Sequence, residues 1–282
     1  MNLPRIASSQ RGNAWVRSVG HSGNQSGLVY INAAVCQLRL RRAIRPPISY
    51  RTHAMDYLDL HPWDVSPKEA VAIQRRLAGQ VVRKGDLQDV RRTRPERSRR
   101  IAGVDISVDT ARGRGTGAVV VLSYPELAVV EVAVAEAPLT FPYVPGLLSF
   151  REAPVLREAF RKLSQPFDLL LVDGQGLAHP RRFGLACHLG LLLDVPAIGC
   201  AKSRPVGEHA TPGEAAGSRA DLIDNGELIG GVLRTRTAVK PLFVSPGHRI
   251  GQEEAEAWVL RCCRGLRLPE PTRLADKAAG GR

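Results

Sequence analysis

Residues 101–135 read IAGVDISVDTARGRGTGAVVVLSYPELAVVEVAVA, and this stretch decides the fold. It contains three short runs rich in Val, which predict strands over Ile101–Val108, Thr116–Ser123 and Leu127–Ala135. Connections this short join antiparallel neighbours, because a parallel crossover needs about a dozen residues. The sequence therefore predicts a three-stranded antiparallel meander.

Helical and strand-like segments surround the meander. Upstream, the capping box Ser66-Pro-Lys-Glu69 predicts a helix over about 67–82. Downstream, apolar spacing predicts a helix over about 154–164, a strand Phe167–Val172, a helix over about 181–193, strands Pro196–Cys200, Leu228–Thr235 and Pro241–Val244, and a helix over about 252–264. We predict an α/β fold in which the meander is followed by parallel strands in one mixed sheet, with helices on both faces. This is the element order of the ribonuclease H-like fold.

Composition excludes several protein classes. The chain has 282 residues, of which 44% are hydrophobic and 24% charged, so a fully disordered, collagen-like or coiled-coil protein is excluded. No apolar run approaches the ~18 residues of a membrane span, so we expect no membrane association. Five Cys without a C-x-x-C pair favour a reducing compartment, and we expect a cytoplasmic protein. The formal net charge of +13 indicates a polyanionic partner, most often nucleic acid.

Much of that charge lies in residues 1–54, which contain Arg but neither Asp nor Glu. Their apolar residues follow no clear period, so we predict either a disordered basic tail or a mis-assigned start, with translation beginning at Met55. A transit peptide and a nucleic-acid-binding arm remain alternatives. We expect residues 55–282 to form a single domain. The basic connector over 83–100 fits either a solvated loop or a phosphate contact.

Three carboxylates are candidate metal ligands. Asp105 interrupts a Val/Ile strand, which is unfavourable unless the acid is paired or binds a metal. Asp173 follows an apolar strand, and ligands gather at the carboxyl ends of strands in open α/β sheets. Glu152 lies in a loop just before a predicted helix. Each acid alone also fits a structural role, but oxygen ligands suit Mg²⁺ or Mn²⁺, which promote attack of water on phosphodiesters.

Longer strings carry a resemblance to a known family. They are AGVDIS at 102–107, FPYVPGLLSFREAP at 141–154, DGQGLAHPR at 173–181, IGCAKSR at 198–204 and VSPGH at 244–248. In this order they resemble endonuclease V, the deoxyinosine-specific 3′ endonuclease family. The resemblance extends from about Tyr57 to about Ala275, and residues 1–54 have no counterpart in it. It implies a ribonuclease H-like catalytic domain over residues 55–282.

The resemblance also implies roles for individual residues. The metal-binding carboxylates would be Asp105, Glu152 and Asp173. Lys202 would lie near the scissile phosphate, His248 near the metal and the attacking water, and His179 elsewhere at the site. Tyr143 would be the wedge that fills the gap left by an extruded base. A base pocket of main-chain groups would involve Gly146, Leu148, Gly174 and Leu185.

The implied activity is Mg²⁺-dependent cleavage, with Mn²⁺ as a possible substitute, at the second phosphodiester bond 3′ to deoxyinosine in DNA. Its biological role would be repair of deaminated adenine, by a protein that we expect to be a monomer. Inosine-containing RNA is an alternative substrate, because a pocket that reads the base need not exclude the 2′-hydroxyl. A non-catalytic binder of inosine-containing or branched nucleic acid is a second alternative. A junction resolvase is disfavoured, because it needs no base pocket.

Overall fold

The computed structural model describes residues 56–85, 99–204 and 206–280. The elements in chain order are helix α1 (Pro67–Ala78), strands β1 (Arg99–Asp109), β2 (Arg114–Tyr124) and β3 (Val129–Pro138), helix α2 (Leu148–Phe160), strand β4 (Leu169–Val172), helix α3 (Leu185–Leu193), strands β5 (Ala197–Ala201), β6 (Arg219–Asp224), β7 (Glu227–Leu233) and β8 (Leu242–His248), and helices α4 (Gln252–Arg261) and α5 (Glu270–Ala278). The predictions for the tail over 1–54 and for most of the connector over 83–100 lie outside the described residues.

One mixed sheet contains all of these strands, in the order β3-β2-β1-β4-β5-β8-β7-β6. The first three strands form the predicted antiparallel meander, and β4 and β5 add to β1 as parallel strands. The ribonuclease H-like prediction is confirmed. Strand β6 is absent from the sequence prediction, because it lies at the sheet edge, where its polar and charged residues alternate with apolar ones.

Side-chain burial explains why the meander was recognisable from sequence. In β2 both faces are covered, with Val119 and Val121 packed on one side and Val120 and Leu122 on the other. The strand is therefore a continuous apolar run. Strand β3 lies at the edge of the sheet and shows alternation, with Ala133 and Ala135 buried between exposed neighbours.

Helices cover both faces, as predicted. Helices α2 and α3 pack on one face through residues such as Phe160 and Leu189. Helices α4 and α5 contribute Trp258 and Ala275 to the core on the other face. Among the residues that the structure describes, no helix combines the length and the apolar character needed to cross a bilayer.

Helix α1 begins at the predicted capping box. The Ser66 hydroxyl accepts the Glu69 backbone N–H at 3.3 Å, and the Glu69 carboxylate accepts the Ser66 N–H at 2.8 Å. This pair satisfies two N–H groups that have no partner inside the helix. Leu77 then packs α1 into a small core with Phe183 and Cys187.

Helix α2 begins earlier than the sequence indicated. Pro154, which we expected at the start of the helix, lies inside it. Proline removes only its own N–H from the hydrogen-bond ladder, and the flanking turns, packed on the sheet through Ala153 and Leu156, hold the helical conformation. As a result Glu152 lies within a helix, which corrects its expected place in a loop.

Helix α5 was not predicted, because its sequence EPTRLADKA has few apolar residues. It nevertheless crosses strand β1 at very short range. A Cβ atom added to Gly103 would lie 2.0 Å from the carbonyl carbon and oxygen of Pro271. Only glycine permits this approach, and it brings the end of α5 to the acids on β1 and β4.

Candidate active site

A cavity of about 580 Å³ opens where β4 and β5 end. Acidic and basic side chains line one part of it, namely Asp105, Glu152, Asp173, Lys202 and Asp276. The remainder includes main-chain and apolar groups of Gly146, Leu148, Gly174 and Leu185, together with His179. The structure therefore brings nine of the eleven predicted site residues to one cavity, and leaves out Tyr143 and His248.

Two of the acids are neighbours because two parallel strands are in register. Val104 on β1 pairs with Val172 on β4. The next residue along β4, Asp173, continues the ladder by donating its backbone N–H to the Val104 carbonyl at 3.1 Å. Asp105 follows Val104, so the two carboxylates come side by side on the sheet face covered by α5.

The third acid comes from α5. Oxygens of Asp105, Asp173 and Asp276 all lie within 4.8 Å of one another. The Lys202 ammonium lies 2.6 Å from Asp173 Oδ2 and 3.8 Å from Asp276 Oδ1. Asp276 was missed from sequence because it lies on a polar helix with no strand or motif beside it to mark it.

Glu152 reaches the same cavity from α2, and only 7% of its surface is exposed. Burial, together with the negative charges of Asp105 and Asp173, raises the pKa of Glu152 to about 8. Burial and the Asp173 charge likewise raise the pKa of Asp105 to about 7. Burial also raises the pKa of Asp173, although its ion pair with Lys202 opposes the shift.

These acids fit a divalent cation. Crowded, buried carboxylates repel one another, and a single cation among them relieves that repulsion. The donor set consists of oxygens alone, which is the set that Mg²⁺ and Mn²⁺ prefer. Asp105, Asp173 and Asp276 are close enough to share one ion. Glu152 lines the cavity but lies outside this trio, so the predicted ligand set and the observed cluster differ by one acid.

His248 is not brought to the cavity. It lies on β8 opposite Ala197, the first residue of β5, whereas Lys202 follows the last residue of β5. Its Nδ1 accepts the Val82 backbone N–H at 3.2 Å, and its Nε2 lies 3.6 Å from Asp194 Oδ1. The expected position of His248 beside a metal is therefore corrected, because β8 runs antiparallel to β5 and places the last residue of its motif at the end of β5 away from the cavity.

Residues Tyr143–Ser149, which we call the reading loop, form the other wall of the cavity. The Leu147 N–H donates to the Val144 carbonyl at 2.9 Å, and Gly146 has φ +77°. With Pro145 at the second position and glycine at the third, this is the pattern of a type II turn. Tyr143 stands beside the turn with 71% of its surface exposed, and the turn leads into the first residues of α2.

His179 holds this loop. Its Nδ1 accepts the Arg181 backbone N–H at 3.1 Å, so its Nε2 carries the proton and donates to the Gly146 carbonyl at 3.0 Å. Burial and the charge of Arg181 lower the pKa of His179 to about 4. The ring is therefore neutral near pH 7 with both nitrogens engaged, which favours a structural role over proton transfer.

One buried histidine and two buried cysteines are part of the core. His188 is buried with its Nε2 2.7 Å from His61 Nε2, among aromatic rings that include Phe150. Burial raises the pKa of Cys187 and of Cys262 to about 12, so these thiols stay protonated and are poor nucleophiles.

Comparison with known proteins shows one family. A family model described as Endonuclease V matches residues 77–277. Endonuclease V of Gloeobacter violaceus is 52% identical over 221 residues, which cover 77% of this chain and 87% of that protein. Endonuclease V of Dehalococcoides mccartyi is also 52% identical, over 220 residues that cover 78% of this chain and 95% of that one.

Solved structures give the same result. Endonuclease V from Streptomyces avermitilis superposes with a TM-score of 0.71 at 40% identity, covering 80% of this chain and 96% of that one. Endonuclease V from Ciona intestinalis, crystallised with a 24mer DNA containing an inosine followed by a ribo-adenosine, gives a TM-score of 0.62 at 28% identity. That match covers 74% of this chain and 94% of the Ciona chain.

Proposed function

The chain belongs to the endonuclease V family, and from this premise we propose that it cuts DNA that contains deoxyinosine. The cleaved bond would be the second phosphodiester on the 3′ side of the lesion, in repair of deaminated adenine. The observation that carries the proposal is a single cavity with an acid cluster beside a loop of main-chain groups. One cavity of this kind can hold both a flipped base and the phosphate beyond it.

We propose that Asp105, Asp173 and Asp276 would hold Mg²⁺, or Mn²⁺ in its place, with Glu152 adjacent. When bound, such a cation polarises a phosphoryl group and lowers the pKa of water. Although burial opposes the shift, pairing with Asp173 raises the pKa of Lys202, so the ammonium keeps its charge. Lys202 can then move onto the phosphate and stabilise negative charge that develops there.

Base recognition would rest on the reading loop. Hypoxanthine presents a carbonyl and an N–H where adenine presents an amine and an acceptor. The first backbone N–H groups of α2, at Leu148 and Ser149, have no carbonyl partner within the helix. The residue before them, Leu147, provides no side-chain hydrogen bond to cap this end of the helix. Leu148 and Ser149 line the cavity, and their N–H groups would be suitable donors to the hypoxanthine carbonyl. Exposed Tyr143 is suited to replace the stacking that the extruded base loses.

The test uses the full chain and four labelled oligonucleotides: duplex DNA and single-stranded RNA, each with and without one inosine. Each is incubated with Mg²⁺ or with EDTA. We expect Mg²⁺-dependent cutting of inosine DNA alone, one nucleotide beyond the lesion's own 3′ bond. The Asp105→Ala variant should bind this DNA without cutting it, because it loses a metal ligand and keeps the reading loop.

Two other outcomes would change the assignment. Cutting of the inosine RNA alone would keep the chemistry and make the protein an endoribonuclease. The inosine and ribo-adenosine in the Ciona complex are the reason for including this substrate. Binding without cutting by the wild-type protein would refute the nuclease proposal and favour a non-catalytic binder. The complete acid cluster argues against that last result.

A further inference from the structure

Gln74 is a polar residue in the middle of the buried face of α1. Ala70, Gln74 and Leu77 are the buried residues of this helix, and Gln74 is only 1% exposed. A buried amide is unfavourable unless its donors and its acceptor are paired. An apolar residue would complete this helix face at lower cost, so the partners of Gln74 indicate why an amide is present.

Those partners belong to the reading loop and to the segment that supports it. Gln74 Nε2 donates to the Gly146 carbonyl at 3.0 Å and to the Phe183 carbonyl at 3.3 Å. Gln74 Oε1 accepts from Arg181 Nε at 2.5 Å. Both ends of the amide are therefore engaged, and its orientation is determined by the network.

Arg181 extends the same network. Its Nη2 donates to the Gly146 carbonyl at 2.6 Å, and a Cβ added to Gly146 would lie 2.7 Å from that nitrogen. Together with His179 Nε2, three side chains converge on one carbonyl oxygen, which has two lone pairs. Three donors exceed the number needed to satisfy a carbonyl group, and together they fix the plane of the Gly146–Leu147 peptide.

The geometry has a direct consequence for the cavity. The Gly146 carbonyl is held by the side chains of Gln74, His179 and Arg181. On the same peptide, the Leu147 N–H donates to the Val144 carbonyl and closes the turn. The turn is thus held from both sides, and so is the start of α2, whose first residues line the cavity. Main-chain groups discriminate between bases only when they cannot rotate to suit either base.

We propose that Gln74 and Arg181 are positioning residues that set the specificity of base recognition by locking the Gly146 carbonyl. This inference rests on the proposed function, since it concerns how an extruded inosine is distinguished from other bases. It makes α1, far from the acid cluster in sequence, a part of the recognition apparatus.

The test compares Gln74→Met and Arg181→Lys with the wild-type chain. Methionine keeps the length of glutamine and removes its hydrogen bonds. Lysine keeps the charge of arginine but lacks the rigid fork whose two nitrogens bind Gln74 and Gly146. Gln80→Met is the matched control, because Gln80 is exposed just beyond the end of α1. Arg181 is partly exposed, so its variant remains informative if Gln74→Met does not fold.

Two readouts separate positioning from a purely structural role. Hydrogen exchange should accelerate in residues 144–150 of both variants and stay at wild-type rates in β1 and β4. In cleavage assays KM for inosine DNA should rise about tenfold, as expected for loss of one or two hydrogen bonds. In binding assays the preference for inosine DNA over adenine DNA should fall by a similar factor. The maximal rate and the Mn²⁺ affinity should change by less than about threefold.

Unchanged exchange in the reading loop would overturn the proposal. So would an equal loss on inosine and adenine DNA together with weaker Mn²⁺ binding, because that pattern indicates general destabilisation. Absence of inosine-dependent cutting by the wild-type chain would refute the proposed function instead. In that case the exchange rates alone decide whether Gln74 and Arg181 hold the loop.

Discussion

The contact between Gly103 and α5 makes Gly103→Ala an informative perturbation. The added Cβ would lie 2.0 Å from the Pro271 carbonyl, whereas non-bonded carbon atoms prefer about 3.5 Å. Helix α5 must therefore move away from β1 by about 1.5 Å. Both Pro271 and Asp276 belong to this one helix, so the displacement carries the Asp276 carboxylate away from Asp105 and Asp173.

The expected effect is larger on function than on folding. Inserting a methyl group into a packed contact costs about 1–3 kcal/mol, which leaves a typical domain folded. Displacing a ligand or catalytic group by about 1 Å costs about 100-fold in rate. We therefore expect Gly103→Ala to bind Mn²⁺ at least about tenfold more weakly and to cut inosine duplex DNA about 100-fold more slowly.

Isothermal titration with Mn²⁺, a cleavage assay and a thermal melt measure the three quantities. Gly251→Ala is the matched control, because a Cβ there meets nothing within 4 Å and the backbone has φ −88°. A folded Gly103→Ala variant with wild-type Mn²⁺ affinity and cleavage rate would refute the reasoning. It would show either that α5 does not hold Asp276 in place or that the cluster does not need it.

Four further predictions concern the cavity and the loop beside it. Asp276→Asn should weaken Mn²⁺ binding at least about tenfold and leave binding of inosine DNA in EDTA unchanged. The control Asp221→Asn, on strand β6, should change neither quantity. Equal Mn²⁺ affinity in the two variants would contradict a metal site at the acid cluster. The pKa of Asp105 is raised to about 7 and that of Glu152 to about 8, so Mn²⁺ must displace protons when it binds. Its affinity should therefore rise with pH between about 6 and 8, and calorimetric titration in two buffers should detect the released protons. In EDTA, Asp105 and Glu152 bind more protons in the folded than in the unfolded chain between about pH 4 and 8. Their contribution to thermal stability should therefore fall as pH rises through that window. A melting temperature that rises across the window would contradict the raised pKa values. Tyr143→Ala should weaken binding of inosine DNA about tenfold while Mn²⁺ affinity stays unchanged, and Tyr143→Phe should retain binding; equal losses in both variants would show that the ring does not stack.

The parts of the fold that could be predicted from sequence are those with local patterns. The meander was recognisable because its Val-rich runs are separated by turns too short for a crossover. Asp105 and Asp173 were recognisable because an acid inside or just after an apolar strand is costly without a partner. Both signals lie within about ten residues of sequence.

Other parts depend on packing that no local pattern encodes. Asp276 joins the acid cluster only because glycine at position 103 lets a polar helix lie against β1. His248 was misplaced because a short motif does not indicate which way its strand runs. Gln74 looked like an ordinary polar position within α1, and its importance appears only from its contacts with Gly146 and Arg181.

The late position of Asp276 in the chain also bears on synthesis in the cell. Asp105 and Asp173 emerge from the ribosome well before the helix that carries Asp276, so the acid cluster cannot be completed before that helix has been synthesised. A nascent chain that has formed the meander and its parallel strands therefore lacks a complete centre for cutting nucleic acid until α5 has been synthesised and has docked.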